Sequence, residues 1–288
     1  MILGVDIASV DGNGTVDWAK AKVEGPLSFA YARAAYGTWL DPTYQAYRTA
    51  MRAAGVQSGG YLFLRFPHPG EVVADPELQV DAALTAIGRL AGDDLPPAID
   101  LEFEGGRKVT GLSAAEALSW YLRAFDRMKE TLGFAPLTYC SYVVWVDPDG
   151  MANLPAPELL DTPAWVKYWP FIVNTVAHRD PSVVDGLPAP PCPPPWGTSW
   201  AIEQYQGDAI KFPGFAATVD CDRFHVLAQG ATGDSVKWAQ RRLGGLTVDG
   251  VFGPATAAAT RAFQKAHGLV VDGAIGPRTF APLCRANP

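Results

Sequence analysis

The chain has 288 residues, of which 48% are hydrophobic and 18% are charged, and its formal net charge is −7. This composition is globular, and the length suffices for one large domain or for two unequal domains. No apolar run approaches the roughly 20 residues that a membrane span needs, so we do not expect insertion into a membrane.

Strand and helix patterns alternate over the first half of the chain. The opening MILGVDIAS is typical of a strand and lacks the basic start and longer apolar core of a signal peptide, so we expect no conventional export. One amphipathic helix is predicted from its N-cap Asp41 to Gly55, and the capping box of Ser113 and Glu116 predicts another. Strands that alternate with helices indicate parallel βαβ units. The predicted strands of this half are residues 2–8, 28–34, 58–65, 97–103 and 136–145.

The helical periodicity fades after residue 150, whereas strand-like runs continue at residues 164–169, 200–206 and 215–221. Eight strands with fewer than eight helices fit a closed barrel better than a doubly wound sheet. The predicted fold class is therefore α/β: a modified (β/α) TIM-like barrel with few helices in its last third, followed by a small C-terminal helical bundle.

A domain boundary is predicted at residues 229–232, between a barrel over residues 1–228 and a helical module over residues 233–288. Within this module the nonapeptide VDGVFGPAT (248–256) returns 23 residues later as VDGAIGPRT (271–279). In each copy the glycines allow a tight turn, the Gly-Pro step starts a helix and the threonine is predicted to cap it.

Charge divides unevenly between the two parts. The module has seven basic and three acidic side chains, a net charge of +4, which leaves −11 for residues 1–232. A basic module joined to an acidic one is expected to seek an anionic surface. A chance distribution of so few charges is the alternative explanation.

The segment PPAIDLEFEGG places Asp100, Glu102 and Glu104 two residues apart, so that they share one face of a strand. An edge strand with a solvated acidic face would have the same pattern. Active sites of (β/α) barrels lie at the carboxyl ends of the strands, and Asp6 and Asp220 are predicted to end the first and last strands. Because these two strands are neighbours in a closed barrel, the acids are expected to converge on one cleft. Such convergence of carboxylates destabilises a fold, so it is expected mainly where chemistry requires it. This favours a functional site.

Several of these segments carry a resemblance to a known family. GVDIAS, GGYLFLR and above all PPAIDLE resemble the glycoside hydrolase family 25 lysozymes, the Chalaropsis-type muramidases, over roughly residues 1–226. The C-terminal repeat with AFQKAHGL is similar to the peptidoglycan-binding domain type 1. Together they imply hydrolysis of the β-1,4 bond between N-acetylmuramic acid and N-acetylglucosamine in bacterial peptidoglycan. The expected partners are the glycan strand for the barrel and the stem peptide for the module, with no cofactor, metal or nucleic acid.

The resemblance also implies roles for the acids. Glu102 would be the general acid that protonates the leaving oxygen, and Asp100 would orient the substrate acetamido group or stabilise positive charge on the sugar. Asp6 and Asp220 would complete the acidic floor. Two acids in different environments can divide into one protonated and one ionised group. Attack by water and attack by the acetamido group both remain open.

Aromatic side chains are expected to bind the sugar rings, because glycans stack on flat, partly apolar faces. The predicted substrate-binding residues are Tyr61, Tyr142, Trp165 and Tyr168, and Tyr205 is a further candidate. Tyr61 and Tyr142 correspond to family positions, whereas each of the others is more often a core residue.

Four positions depart from the family pattern. Tyr36, Leu62, Glu203 and Asp222 stand where the family often has Glu, His, Trp and Asn. Because none of them removes the Asp-x-Glu pair, catalysis is still expected, with altered recognition of the substrate.

The predicted biological role is that of a phage endolysin, made in the host cytoplasm and released to the wall through a membrane lesion. Export by a non-classical route is the alternative. A barrel that has lost activity and only binds the wall is a second hypothesis. A chitinase is disfavoured because Pro96 and Ala98 stand where its longer acidic run has acids, and an amidase because no zinc-ligand spacing links the four histidines.

Overall fold

A computed structural model describes residues 2–102, 111–147, 150–167, 189–193, 196–209 and 212–286. Nine strands in these ranges form one sheet. They are β1 (Ile2–Ile7), β2 (Leu27–Tyr36), β3 (Trp39–Leu40), β4 (Gln57–Phe63), β5 (Ala98–Leu101), β6 (Leu137–Ser141), β7 (Ala164–Lys167), β8 (Trp200–Ala209) and β9 (Val219–Phe224).

The sheet closes into a barrel because β1 pairs with β2 on one side and with β9 on the other. Eight strands form the wall, and the two-residue β3 only extends the edge of β2. Neighbouring strands from β1 through β2 and β4 to β8 are parallel, whereas β9 is antiparallel to both β8 and β1. The predicted α/β barrel is therefore confirmed.

Helices cover the first part of the barrel. Among the described residues between 147 and 233, the only helical element is a 3-10 turn at Pro157–Asp161, which agrees with the predicted loss of helices. In the described ranges no helix is both long and apolar enough to cross a membrane. The α-helices are α1 (Trp18–Glu24), α2 (Tyr44–Ala53), α3 (Pro76–Ile87), α4 (Ala114–Leu132), α5 (Tyr142–Val146), α6 (Asp234–Leu243), α7 (Pro254–Ala266) and α8 (Pro277–Arg285).

The two predicted helix starts have different outcomes. The capping box before α4 is present, since Ser113 and Glu116 each accept a hydrogen bond from the other's backbone N–H. The prediction that Asp41 caps α2 is wrong, because Thr43 is the N-cap. The Asp41 carboxylate accepts hydrogen bonds from Thr43 and from Ser9, so it fixes the turn ahead of the helix.

Alternation along β5 sets the two sides of the barrel wall. Ile99 and Leu101 are buried outside the barrel against Tyr121 and Phe125 of α4. Asp100 between them faces the interior, as the spacing predicts. Glu104, the third acid of this run, lies outside the described residues.

Aromatic rings fill the barrel below the acids. The ring centroid of Trp165 lies 4.6 Å from that of Tyr31 and 4.9 Å from that of Tyr139. Gly59 pairs with Tyr31, and a Cβ atom on Gly59 would lie 2.3 Å from the Tyr31 ring. Glycine is therefore required at this position, which accounts for one glycine of the GGYLFLR segment.

The first nonapeptide is organised by a buried glutamine. The Gln240 amide donates hydrogen bonds to the Asp249 carboxylate at 2.8 Å and to the Thr256 hydroxyl at 3.2 Å. Its carbonyl oxygen accepts a hydrogen bond from the Gly250 N–H at 2.9 Å. One side chain thus fastens the whole turn to α6.

The second nonapeptide repeats this arrangement on α7. Gln264 donates hydrogen bonds to Asp272 at 2.7 Å and to Thr279 at 3.1 Å. The Gly-Pro steps start α7 and α8 as predicted, at Pro254 and Pro277. The predicted capping by the threonines is wrong, because glycines are the N-caps and each threonine instead takes the hydrogen bond from its glutamine.

The C-terminal helices pack against the amino ends of the barrel strands. Side chains of both parts form one cluster, in which the Phe280 ring centroid lies 5.3 Å from that of Phe224 on β9 and 5.1 Å from that of Trp238 on α6. Gln57 of β4 donates a hydrogen bond to the Pro277 carbonyl at 3.1 Å. Because the core is shared, the boundary at residues 229–232 stays a prediction.

Phe280→Ala is expected to destabilise the barrel together with the helices. Removing this buried ring should lower the free energy of unfolding by about 3–5 kcal/mol. Calorimetry should show one transition that moves to lower temperature. The matched change Val248→Ala, at a half-exposed position of the first nonapeptide, should stay within about 0.5 kcal/mol of the unmodified protein. A separate transition of the helices, with an unchanged barrel transition, would contradict the shared core.

Candidate active site

A cleft of about 220 Å³ opens at the carboxyl ends of the parallel strands. Asp6 of β1, Asp100 of β5, Glu102 directly after β5 and Asp220 of β9 all line this cleft. The structure therefore brings the four sequence-predicted acids together.

Asp220 reaches the cleft in a way that the sequence did not indicate. The prediction that it ends the last strand is wrong, because it is the second residue of β9. Since β9 runs antiparallel to β1, its amino end lies at the same mouth as the carboxyl ends of the other strands. Asp220 is thereby paired in register with Asp6.

Gln204 of β8 holds these two acids side by side. Its amide nitrogen donates hydrogen bonds to Asp6 Oδ2 at 2.8 Å and to Asp220 Oδ2 at 3.2 Å, and its oxygen accepts one from the Tyr139 hydroxyl at 3.0 Å. Burial and the charge of Asp220 raise the pKa of Asp6 well above its ordinary value, although the hydrogen bond from Gln204 acts in the opposite direction.

Asp100 is the most enclosed acid on β5. Burial, followed by the charge of Glu102, raises the pKa of Asp100 well above the ordinary value, and Lys167 opposes this rise. Asp100 Oδ1 has no hydrogen-bond partner among the described residues. The site therefore keeps Asp100 protonated at pH values at which an exposed aspartate is ionised.

Glu102 forms an ion pair with Lys167 at the end of β7. The Lys167 Nζ to Glu102 Oε2 distance is 3.1 Å, and the Glu102 side chain is 26% exposed. Burial lowers the pKa of Lys167, but the charge and hydrogen bond of Glu102 outweigh burial and leave this pKa raised. A charged lysine thus stands beside the residue to which the resemblance assigns the general-acid role.

Arg33 of β2 is a cleft residue that the sequence analysis missed. It forms a buried ion pair with Asp41 at 3.0 Å. Burial alone would raise the pKa of Asp41, but hydrogen bonds from Thr43 and Ser9 outweigh it and lower this pKa. The feature of the sequence that could have predicted Arg33 as a cleft residue is its position within the apolar run FAYARAAY. Lys167 within the strand segment AWVKYW and Gln204 within WAIEQYQ are likewise polar residues of predicted strands.

The predicted aromatic residues occupy different places. Tyr61 lines the cleft, and its ring is perpendicular to that of Trp165. Trp165 is only 2% exposed, so it forms the floor of the cleft rather than an open face for a sugar. Tyr205 is buried in a cluster outside the barrel. The side chain of Tyr142, and Tyr168 as a whole, lie outside the described residues.

Asp222, which replaces a family asparagine, lies below the acids inside the barrel. Its Oδ1 atom accepts a hydrogen bond from Trp165 Nε1 at 3.0 Å, and its Oδ2 atom has no hydrogen-bond partner among the described residues. Burial and then the charge of Asp6 raise the pKa of Asp222 well above its ordinary value. A neutral carboxyl group in this place resembles the amide that it replaces.

Glu203, which replaces a family tryptophan, faces away from the cleft. It pairs in register with Arg223 of β9, and the two buried side chains form an ion pair. Burial raises the pKa of Glu203 to about 7, although Arg223 acts in the opposite direction. The guanidinium of Arg223 also lies over the Trp200 ring, 5.4 Å from its centroid. Arg223 therefore balances the negative charge that Glu203 introduces, and this departure does not alter the cleft.

Residues 5–211 match the sequence profile of the glycosyl hydrolases family 25. The chain belongs to this family. Residues 232–283 match the profile of a peptidoglycan binding domain. The protein is thus a glycoside hydrolase, a lysozyme with a C-terminal peptidoglycan-binding module.

Individual relatives agree with this assignment. The autolytic lysozyme of Clostridium acetobutylicum is 27% identical over 278 residues, which cover 91% of this lysozyme and 72% of the relative. The Streptomyces coelicolor lysozyme has a similar fold, with a TM-score of 0.61 and 22% identity over 78% of this chain and 92% of that one. The catalytic domain of endolysin ply40 from a Listeria monocytogenes phage has a TM-score of 0.54 and 17% identity, covering 78% and 93% of the two chains.

Asp222→Asn is expected to raise the thermal stability of the lysozyme at pH 7. The folded state holds a proton on Asp222 that the unfolded chain loses above about pH 4, so stability falls as the pH rises through this window. The amide removes this loss and should raise Tm by a few degrees, at roughly 2–4 °C per kcal/mol. The gain should vanish near pH 4.

The control for this experiment is Asp222→Ala, which leaves the Trp165 N–H without its acceptor and should lower Tm at both pH values. A Tm for Asp222→Asn that is lower at pH 7 than that of the unmodified protein would show that the carboxyl is ionised in the folded state.

Proposed function

We propose that this lysozyme hydrolyses the β-1,4 bond between N-acetylmuramic acid and N-acetylglucosamine in peptidoglycan, with Glu102 as the general acid. The observation that carries the proposal is the cleft in which Asp100 and Glu102 project from one strand toward Asp6 and Asp220. Family 25 membership gives the class of substrate, and the acids supply the chemistry for breaking a glycosidic bond.

The electrostatics of the cleft support different catalytic roles for the neighbouring acids Asp100 and Glu102. Asp100 and Glu102 lie two residues apart on one strand face, roughly 6–7 Å apart at the backbone, so one proton serves the pair. The shared proton lies on Asp100 in the free enzyme, and in the proposed reaction it passes to Glu102, which delivers it to the leaving oxygen. Asp100 then bears the negative charge and stabilises the positive charge that develops on the sugar. Asp6 and Asp220 add to this negative field.

Lys167 has a place in the same proposal. Its ion pair with Glu102 stabilises a carboxylate, which is the state that Glu102 reaches once it has given up its proton. Lys167 thereby favours the product side of the proton transfer. The water consumed in hydrolysis leaves its hydroxyl group on the sugar and its proton on the Asp100–Glu102 pair, which resets the pair for the next bond.

Glu102→Gln is expected to lower the release of reducing sugar from purified cell walls by about 10²–10⁴-fold, the usual contribution of a general acid. Asp11→Asn is the matched control, because Asp11 lines the same cleft but has no assigned role. It should change the rate less than about tenfold. Mass spectrometry of the released fragments should find new reducing ends at muramic acid.

Two results would contradict this proposal. Release of free stem peptides instead of new reducing ends would show cleavage of a different bond. An unmodified protein that binds walls and releases no reducing sugar would favour the alternative of a binding protein without catalysis.

We also propose that the C-terminal module holds the enzyme on the wall. The profile match over residues 232–283 supports this role. Deleting residues 230–288 would not test this role, because it would also remove Trp238 and Phe280 from the core that they share with the barrel. The full-length Glu102→Gln variant should instead sediment with insoluble walls. A variant that remains in the supernatant would reject the anchor.

For the biological setting we propose a phage endolysin that is made in the host cytoplasm and reaches the wall through a membrane lesion. A catalytic barrel joined to a wall-binding module suits such a lytic enzyme. Produced inside a bacterium whose isolated walls it cuts, the protein should leave the culture turbid until the membrane is permeabilised. Lysis without permeabilisation would favour export by a non-classical route.

A further inference from the structure

A second and larger cavity, of about 570 Å³, lies on the seam between the barrel and the C-terminal helices. We call it the seam groove. Its barrel side includes Ile2 and Gln57, which start β1 and β4, so it lies at the end of the barrel opposite the catalytic cleft. Its other side is formed by the second nonapeptide and the residues just before it, including Leu269 and Val270.

Two cations from different parts of the chain line the seam groove. Lys22 comes from α1 of the barrel, and Arg278 comes from the first turn of α8. Neither forms an ion pair with any described carboxylate, and Arg278 donates a hydrogen bond to the Gly55 carbonyl at 3.3 Å. Burial and the charge of Arg278 lower the pKa of Lys22. Two like charges that line one groove are complementary to an anion.

The remaining walls add a carboxylate and apolar surface. Asp272 lines the groove, and its Oδ1 atom is fixed by hydrogen bonds from Gln264 at 2.7 Å and from the Ala274 N–H at 2.8 Å. Val270 is 78% exposed and stands beside the partly buried Leu269. The groove therefore combines positive charge, one negative charge and small apolar contacts.

The arginine of the seam groove occurs in the second repeat and not in the first. The nonapeptides differ at their eighth position, where the first copy has Ala255 and the second has Arg278. The shared glutamine-centred turn is therefore structural, whereas the arginine is specific to the groove.

We propose that the seam groove binds the stem peptide of peptidoglycan, with Lys22 and Arg278 receiving its free carboxylate. Stem peptides are short chains of alanines with acidic and diamino residues, so they present carboxylates, an amine and methyl groups. Asp272 is placed to accept the amine, and Val270 and Leu269 to contact the methyl groups. This inference rests on the proposed action on peptidoglycan and gives the module's ligand a specific site.

The position of the groove has a consequence for how the enzyme meets the wall. A barrel strand of six residues spans about 20 Å, so the cleft and the groove are separated by at least the height of the barrel. A glycan strand bound in the cleft and a stem peptide bound in the groove would then come from different positions in the peptidoglycan network. The enzyme keeps its hold on one point while it cuts at another.

The test is calorimetric titration of the full-length protein with a synthetic stem tetrapeptide that carries free carboxylates, and with the same peptide amidated. The free peptide should bind and the amidated one should bind at least about tenfold more weakly, because the amide has no negative charge to accept charge-assisted hydrogen bonds; tenfold corresponds to about 1.4 kcal/mol. The double variant Lys22→Ala/Arg278→Ala should lose at least about tenfold in affinity for the free peptide.

Two further variants make the test specific. Lys20→Ala/Arg241→Ala removes an exposed lysine of α1 and an exposed arginine of α6 outside the groove, and it should bind within about twofold of the unmodified protein. Ala274→Trp should fill the groove and reduce binding without removing either cation.

Equal affinity for the two peptides, or full affinity in Lys22→Ala/Arg278→Ala, would overturn the proposal. These outcomes are separate from a failure of glycan hydrolysis. A protein that binds the peptide but releases no reducing sugar would refute the muramidase proposal alone.

Discussion

The site depends on the closed barrel, which buries several carboxyl groups away from water and close enough to one another to interact electrostatically. Closure places Asp6 beside Asp220, and Gln204 donates hydrogen bonds to both so that their repulsion does not open the mouth. Below them Trp165 and its neighbouring rings leave no space for bulk solvent. Burial is the largest cause of the raised pKa of Asp100, as it is for Asp6. The packing that closes the barrel therefore also raises the pKa values on which the acid chemistry depends.

The sequence predicted those parts of the fold that local patterns encode. The eight wall strands and the capping box at Ser113 follow from periodicities and spacings within a few residues. The direction of β9 does not, because an alternating strand looks the same whichever way its neighbour runs. The acids of β5 could therefore be placed on the correct face, whereas Asp220 was assigned to the wrong end of its strand. Arg33, Lys167 and Gln204 were missed because the side chains that they meet in the cleft come from other strands, which no local pattern shows.

Pairs across strands also explain two departures from the family pattern. Glu203 is unexpected alone, but Arg223 stands opposite it and forms its ion pair. Asp222 is tolerated because Trp165 donates to it and its surroundings favour the neutral form. The joined core at the base of the barrel escaped prediction for a related reason. Trp238 and Phe280 fit the inner face of a small helical bundle equally well, and only the structure brings them against the barrel.

The central claim is that the mouth of the barrel retains a proton on β5 at pH values at which exposed aspartates are ionised. Carbon-13 NMR titration of the aspartate carboxyl groups, with Asp100 assigned by comparison with Asp100→Asn, measures this directly. We expect the Asp100 signal to titrate well above those of the exposed aspartates of the same molecule. An Asp100 signal that titrates together with the exposed aspartates, near pH 4, would contradict it.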